Sequence, residues 1–314
     1  MVWENVNFFI ILAAITPALI LVGIILHTDR RRPEPLPAII IALLTGIITV
    51  FLAMLLNSFI TPYLFHHMSE LDPTRISLNF DSMISVAVVE EGLKFFFLFL
   101  FMKFNKAFDD PYDGIVYGSL IALSFSGIEN ILYLANPLHT DQAGAIAISR
   151  ALTSVPMHMV VGMAMGYYLA MANFSKDSNK SRKFIYLSLL VPIIIHGMYN
   201  ALIINTGAIQ HIYPVLGMIL LVIWYLIVVG IYIGGYKTVK NMAHINEYFY
   251  SGEEYPPKYS FLYNAYEYDD ILKEKQKNQH ELIDDFSTFN NEVSAEESSK
   301  YNTFLSDDEP KPPE

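Results

Sequence analysis

Apolar residues fill most of the chain in seven long blocks, near residues 7–27, 36–60, 82–102, 114–135, 152–172, 184–205 and 212–235, with short polar stretches between them. About 20 apolar residues in a row are needed to cross the hydrocarbon as a helix. A backbone in lipid must satisfy its own hydrogen bonds, which favours helices for blocks of this length. The pattern predicts an all-α, polytopic membrane bundle of about seven transmembrane helices over residues 1–236. Residues 237–314 read differently, as an acidic cytoplasmic tail rich in Tyr, Asp, Glu, Asn and Ser. Low hydrophobicity with many like charges predicts disorder there or a loosely held helix, residues 262–285 being the stretch of most helical character.

Polar residues break the apolar pattern at a few places only. Glu90 and Glu91 stand side by side in the third block, with Lys94 one turn later. Glu129 and Asn130 lie in the fourth, Arg150 and His158 at the start of the fifth, His196 and Asn200 in the sixth. A charge at the bilayer centre costs roughly 2.5–3.5 kcal/mol on insertion scales, so a group of them there points to a site inside the membrane.

Composition supports the membrane reading. The 314 residues are 53% hydrophobic and 16% charged, against about 25% charged in a soluble domain. There is no cysteine, which excludes thiolate catalysis, disulfides and thiolate metal sites. Glu4 precedes the first block and Arg30, Arg31 and Arg32 follow it, the reverse of a signal peptide's charge order. A retained first helix is therefore expected. The net charge of −11 belongs to the tail: from Lys237 onward 8 Lys face 17 Asp/Glu, giving −9. That acidity argues against a nucleic-acid partner.

Positive charge in short loops sets orientation. Arg30–Arg32, Lys103 and Lys106, Lys176 to Lys183, and Lys237 and Lys240 follow the odd-numbered blocks, whereas the alternate loops hold only Arg75 and Arg150. The N-terminus is thus expected outside and the C-terminus in the cytoplasm. Counting inward from the outer end of each helix at about 1.5 Å per residue places Glu90, Glu129, His158, His196 and Asn200 roughly 8–14 Å below the outer surface. Four helices contributing acids, imidazoles and amides at one level describe a cavity open to the outside.

Spacing adds local detail. Glu90 and Lys94 are an i,i+4 pair, as are His196 and Asn200. Gly114 and Gly118, and Gly162 and Gly166, form G-x-x-x-G steps that read as close-packing devices between helices. Asp109, Asp110 and Asp113 read as a turn and helix cap. Arg150 sits at the interface, placed to snorkel or to pair with a carboxylate.

Two adjacent carboxylates can hold one proton between them, one accepting from water while the other donates. Histidines can bind a metal or stabilise an oxyanion, and Asn200 can donate to the same oxyanion. Those are parts for adding water to a peptide carbonyl. No G-x-S-x-G elbow and no H-E-x-x-H pair occurs. The carboxylates must then activate water directly or through a metal, zinc suiting a site of two histidines and a glutamate. The residues themselves leave both routes open.

Glu90-Glu91-x-x-Lys94, Phe125-x-x-x-Glu129-Asn130, His158-x-x-x-Gly162 and His196-x-x-x-Asn200 resemble the motifs of PrsW-type intramembrane proteases. Asp110-x-x-Asp113-Gly114-x-x-Tyr117-Gly118 resembles the same family, which groups with the CAAX prenyl endopeptidases and related bacterial membrane proteases. The resemblance covers residues of about 80–205, not the acidic tail. It implies a multi-pass protein of the bacterial plasma membrane that makes the first cut in an anti-sigma factor, on the extracytoplasmic side, in regulated intramembrane proteolysis. Carried over by position, Glu90 or Glu91 would activate water. Glu129, His158 and His196 would be metal ligands or transition-state stabilisers, with Asn130 and Asn200 orienting or donating. Two other classes compete. Intramembrane Glu, Lys and His also build proton-coupled transporters, and an outside N-terminus with a cytoplasmic tail also fits a seven-helix sensor.

Overall fold

The computed structural model describes residues 8–29, 33–66, 76–136, 143–175 and 178–251. The expected features of the tail beyond 251, including a helix over 262–285, lie outside the described residues. Among the described residues the regular structure is entirely α-helical. In chain order the helices are α1 (Phe8–Thr28), α2 (Leu36–His66), α3 (Ile76–Phe104), α4 (Pro111–Leu134), α5 (Ala143–Leu152), α6 (Ser154–Phe174), α7 (Ser178–Ile212) and α8 (Pro214–Ser251). Six helical stretches among the described residues are long and apolar enough to cross a membrane. The seventh long helix, α3, carries Glu90, Glu91 and Lys94 near its middle.

The seven expected blocks each became a helix, with two differences at their edges. α5 was not anticipated as an element. Its ten residues, AGAIAISRAL, are too few to span lipid, and none of them is fully buried. α7 and α8 also run on through polar sequence, α8 reaching Ser251, because a helix keeps propagating once its apolar part is formed.

α4 and α6 are the inner helices. The α4 span is 72% buried, as is the α5–α6 stretch, against 17% for α1 and for α8. α4 packs on α6, α2 and α1, while α7 packs on α3 and α6. The two G-x-x-x-G steps face one another. A Cβ on Gly118 would meet the Gly162 carbonyl, and one on Gly166 the Gly114 carbonyl, so the backbones touch where no side chain intervenes. That contact draws the Glu129 helix and the His158 helix together.

The start of α4 is fixed by its own sequence. Asp110 is the N-cap and accepts from Tyr112 N at 2.7 Å and Asp113 N at 3.1 Å. Asp113 accepts in return from Asp110 N at 2.8 Å, completing a capping box, with Pro111 in the first turn. The expected turn-and-cap role of these aspartates is therefore observed. Tyr117 donates to Glu34, and Tyr112 donates to Thr28 at 2.7 Å, tying this end of α4 to the α1–α2 connection.

Candidate active site

α3 supplies the first part of the site. Glu91 and Lys94 lie one turn apart, and Lys94 Nζ donates to Glu91 Oε1 at 2.8 Å. Glu90 Oε2 is farther from the same ammonium, at 3.9 Å. The i,i+4 spacing alone made Glu90 the expected partner; rotamers favour the i,i+3 neighbour. Lys94 is 1% exposed and Glu91 0%, so this pair is deep inside protein. Burial of an ammonium demands partners on every side. Lys94 Nζ also lies 3.8 Å from the centre of the Phe125 ring and 3.3 Å from His158 Nδ1.

α7 supplies His196. Its Nδ1 is 2.7 Å from Glu91 Oε1, and its Nε2 is 4.0 Å from Glu90 Oε2. α6 supplies His158, whose ring meets that of His196 edge-on at 4.9 Å. His158 Nε2 lies 3.1 Å from Glu129 Oε2 on α4. Lys94 can only donate and a carboxylate can only accept, so His158 accepts at Nδ1 and donates from Nε2. Glu129 also takes an ion pair from Arg150 Nη2 at 2.9 Å. Arg150 Nε donates to Asn130 Oδ1 at 2.7 Å, and its guanidinium sits 4.4 Å above the Tyr133 ring. Arg150 thus pairs with a carboxylate, one of the two roles anticipated for it.

Eight of the nine sequence-derived residues join this network. Asn200 does not. It is half-buried one turn past His196, and its side chain makes no hydrogen bond among the described residues. Asn130 is turned to support, its Nδ2 donating to the Ala14 carbonyl of α1 at 3.3 Å. Sequence reasoning did not single out Tyr133, Thr153 and Tyr199. Tyr133 follows Glu129 by four residues and Tyr199 follows His196 by three. That helical spacing was the available signal. Tyr199 Oη is 2.8 Å from Thr153 Oγ1.

One carboxylate differs from the expected metal set. The expected ligands are Glu129, His158 and His196, whereas the ligand atoms that converge within 4.8 Å belong to Glu91, His158 and His196. Glu129 is held at the edge by Arg150 and by the far nitrogen of His158. A carboxylate with two imidazoles is a zinc-type donor set. Two further observations fit a cation. Glu90 Oε2 and Glu91 Oε2 are buried without a hydrogen-bond partner among the described residues. Three carboxylates also share two fixed cations, Lys94 and Arg150.

Residues 34–231 match the family described as PrsW family intramembrane metalloprotease. The chain belongs to the PrsW family. Protease PrsW of Bacillus subtilis (strain 168) is 33% identical over 218 residues, covering 69% of this chain and 92% of that protein. Protease PrsW of Geobacillus kaustophilus (strain HTA426) is 31% identical over 219 residues, 69% of this chain and 88% of that protein. Protease PrsW of Clostridioides difficile (strain 630) is 32% identical over 190 residues, 60% of this chain and 76% of that protein. No solved structure matches. This PrsW-family chain is a multi-pass membrane protease acting on membrane-embedded substrates, and the transporter and sensor alternatives are set aside.

Proposed function

We propose that this PrsW-family protease hydrolyses a peptide bond of a single-span anti-sigma factor near the extracytoplasmic face, through a water activated by glutamate. The reading is carried by one observation: Glu91, His158 and His196 converge while Glu90 Oε2 lies 4.0 Å from His196 with no hydrogen-bond partner among the described residues. Glu91, His158 and His196 would hold a zinc ion, His158 giving it the Nδ1 lone pair that otherwise accepts from Lys94, and the ion would polarise the scissile carbonyl and the attacking water. Glu90 is the base. It accepts a proton as the water oxygen bonds to the carbonyl carbon, then gives that proton to the departing amide nitrogen as the C–N bond breaks. Lys94 fixes the Glu91 carboxylate, and Glu129 orients His158 through Nε2. A carboxylate on the outer nitrogen of a ligating histidine sets its tautomer and orientation. Arg150 holds Glu129 in turn and is itself held by Asn130, and Asn200 is available to donate to an oxyanion.

The extracytoplasmic placement rests on the basic loops that follow alternate apolar blocks. Residues 1–236 form the protease domain in this reading, with 237–314 a cytoplasmic extension. The test is cleavage of a synthetic single-span anti-sigma peptide by the purified protein in lipid nanodiscs. Chelator should abolish cutting and added zinc should restore it. Cutting that persists at the untreated rate after the metal content has fallen to zero would contradict the metal assignment. No cutting of any single-span peptide tried would contradict the substrate class.

A further inference from the structure

α8 is lipid-facing over most of its surface, with Val215, Leu216, Met218, Ile219, Val222 and Leu226 all exposed. One stripe turns inward: Gly217, Trp224, Val228 and Gly235 are buried. Near its far end α8 touches α6, since a Cβ on Gly235 would meet Val160 Cγ2 at 2.7 Å, and α5, where Tyr232 donates to the Leu152 carbonyl. In the middle of the stripe Trp224 is 1% exposed, its ring 5.4 Å from that of Tyr199. Tyr199 is one turn past His196, and its hydroxyl meets Thr153, one turn past Arg150. Trp224 therefore stands behind residues that flank the Glu–His cluster on two sides.

The indole Nε1 of Trp224 is buried and meets no acceptor among the described residues. An indole N–H is a donor only, and burying it without an acceptor in an apolar setting is unfavourable. A cleaved membrane segment has the converse problem. Hydrolysis needs a scissile carbonyl free of its helical hydrogen bond, and unwinding a span exposes main-chain carbonyls that lipid cannot satisfy.

We propose that Trp224 is a substrate-binding residue whose indole N–H donates to a main-chain carbonyl of the unwound substrate segment beside the Glu–His cluster. The inference rests on reading that cluster as the site of peptide hydrolysis. Its partner is the substrate's own span, recognised through backbone rather than through side-chain identity.

The test uses the chain's two tryptophans. Trp3→Phe leaves Trp224 as the sole indole in the full-length protein. The probe is the tryptophan-free form of the single-span peptide cut in the assay above. With Glu90→Gln added to prevent turnover, titrating the peptide should shift Trp224 emission saturably. In the otherwise native protein, Trp224→Phe should raise KM about tenfold, the loss of one hydrogen bond, with kcat within about twofold. A purely structural tryptophan would instead lower the unfolding temperature and kcat together and leave emission unmoved by peptide. Emission unchanged at saturating peptide, or an unchanged KM in Trp224→Phe, overturns the role of Trp224 while wild-type cutting upholds the protease reading. Failure of the Trp3→Phe protein and of wild type alike to cut would overturn the site reading and this inference together.

Discussion

Single residues in this chain divide between a polar cluster deep in the bundle and a second one near the α1–α2 connection. Glu34 belongs to the second. Burial raises its carboxyl above the ordinary 4.5, while hydrogen bonds with Asp113 and Tyr117 act against that rise. A carboxyl whose folded value is raised contributes stability below the unfolded value, and that contribution is lost as pH climbs through the folded one. Glu34→Gln keeps an oxygen that can accept from Tyr117 and removes the charge. The variant should therefore gain on wild type as pH rises above the ordinary carboxyl value of 4.5, seen as a widening gap in unfolding temperature in detergent. Parallel profiles would mean that Glu34 ionises as readily folded as unfolded. In the deep cluster, sequence revealed which residues share a depth because helical rise alone fixes it. It did not reveal which glutamate meets which partner. That depends on rotamers, and Lys94 takes Glu91 rather than the i,i+4 residue Glu90.

Elements were legible where lipid dictates them and obscure where it does not. Long apolar blocks became α1 to α4 and α6 to α8, because at that length a helix is the arrangement that satisfies its own backbone in hydrocarbon. α5 was hidden because ten residues give no spanning signal, yet it delivers Arg150 to Glu129. The element contact that matters most is that between α4 and α6, where glycine carbonyls fill the space a side chain would need. Gly166→Ala should force these helices apart. Overpacking typically destabilises by about 1–3 kcal/mol, and the displacement should also loosen His158 from Glu129. A lower unfolding temperature with reduced cleavage is the expected outcome. Gly92→Ala, where a Cβ meets open space, should leave both nearly unchanged. Equal effects of the two substitutions would show that the α4–α6 contact is not what positions the site.

At the scale of the whole molecule, an extracytoplasmic cut depends on the direction in which the bundle crosses the membrane. The chain has no cysteine, so single cysteines report topology without background. A cysteine at Tyr213, between α7 and α8, should react with an impermeant maleimide added to intact cells. One at Asn105, after α3, should react only after lysis. The reverse pattern would place the Glu–His cluster near the cytoplasmic face and remove the argument for an extracytoplasmic cut. Family membership and six apolar spans establish a multi-pass membrane protease, and the site inside it is the central claim. Glu90→Gln tests that claim most directly, because Glu90 Oε2 has no hydrogen-bond partner among the described residues and its loss should spare the fold. Cleavage of a single-span peptide by the purified variant should fall roughly 10²–10⁴-fold, with unfolding temperature and metal content held near wild type. Cutting by the folded variant at the wild-type rate would show that Glu90 is not the base and that the hydrolytic mechanism proposed for this cluster is wrong.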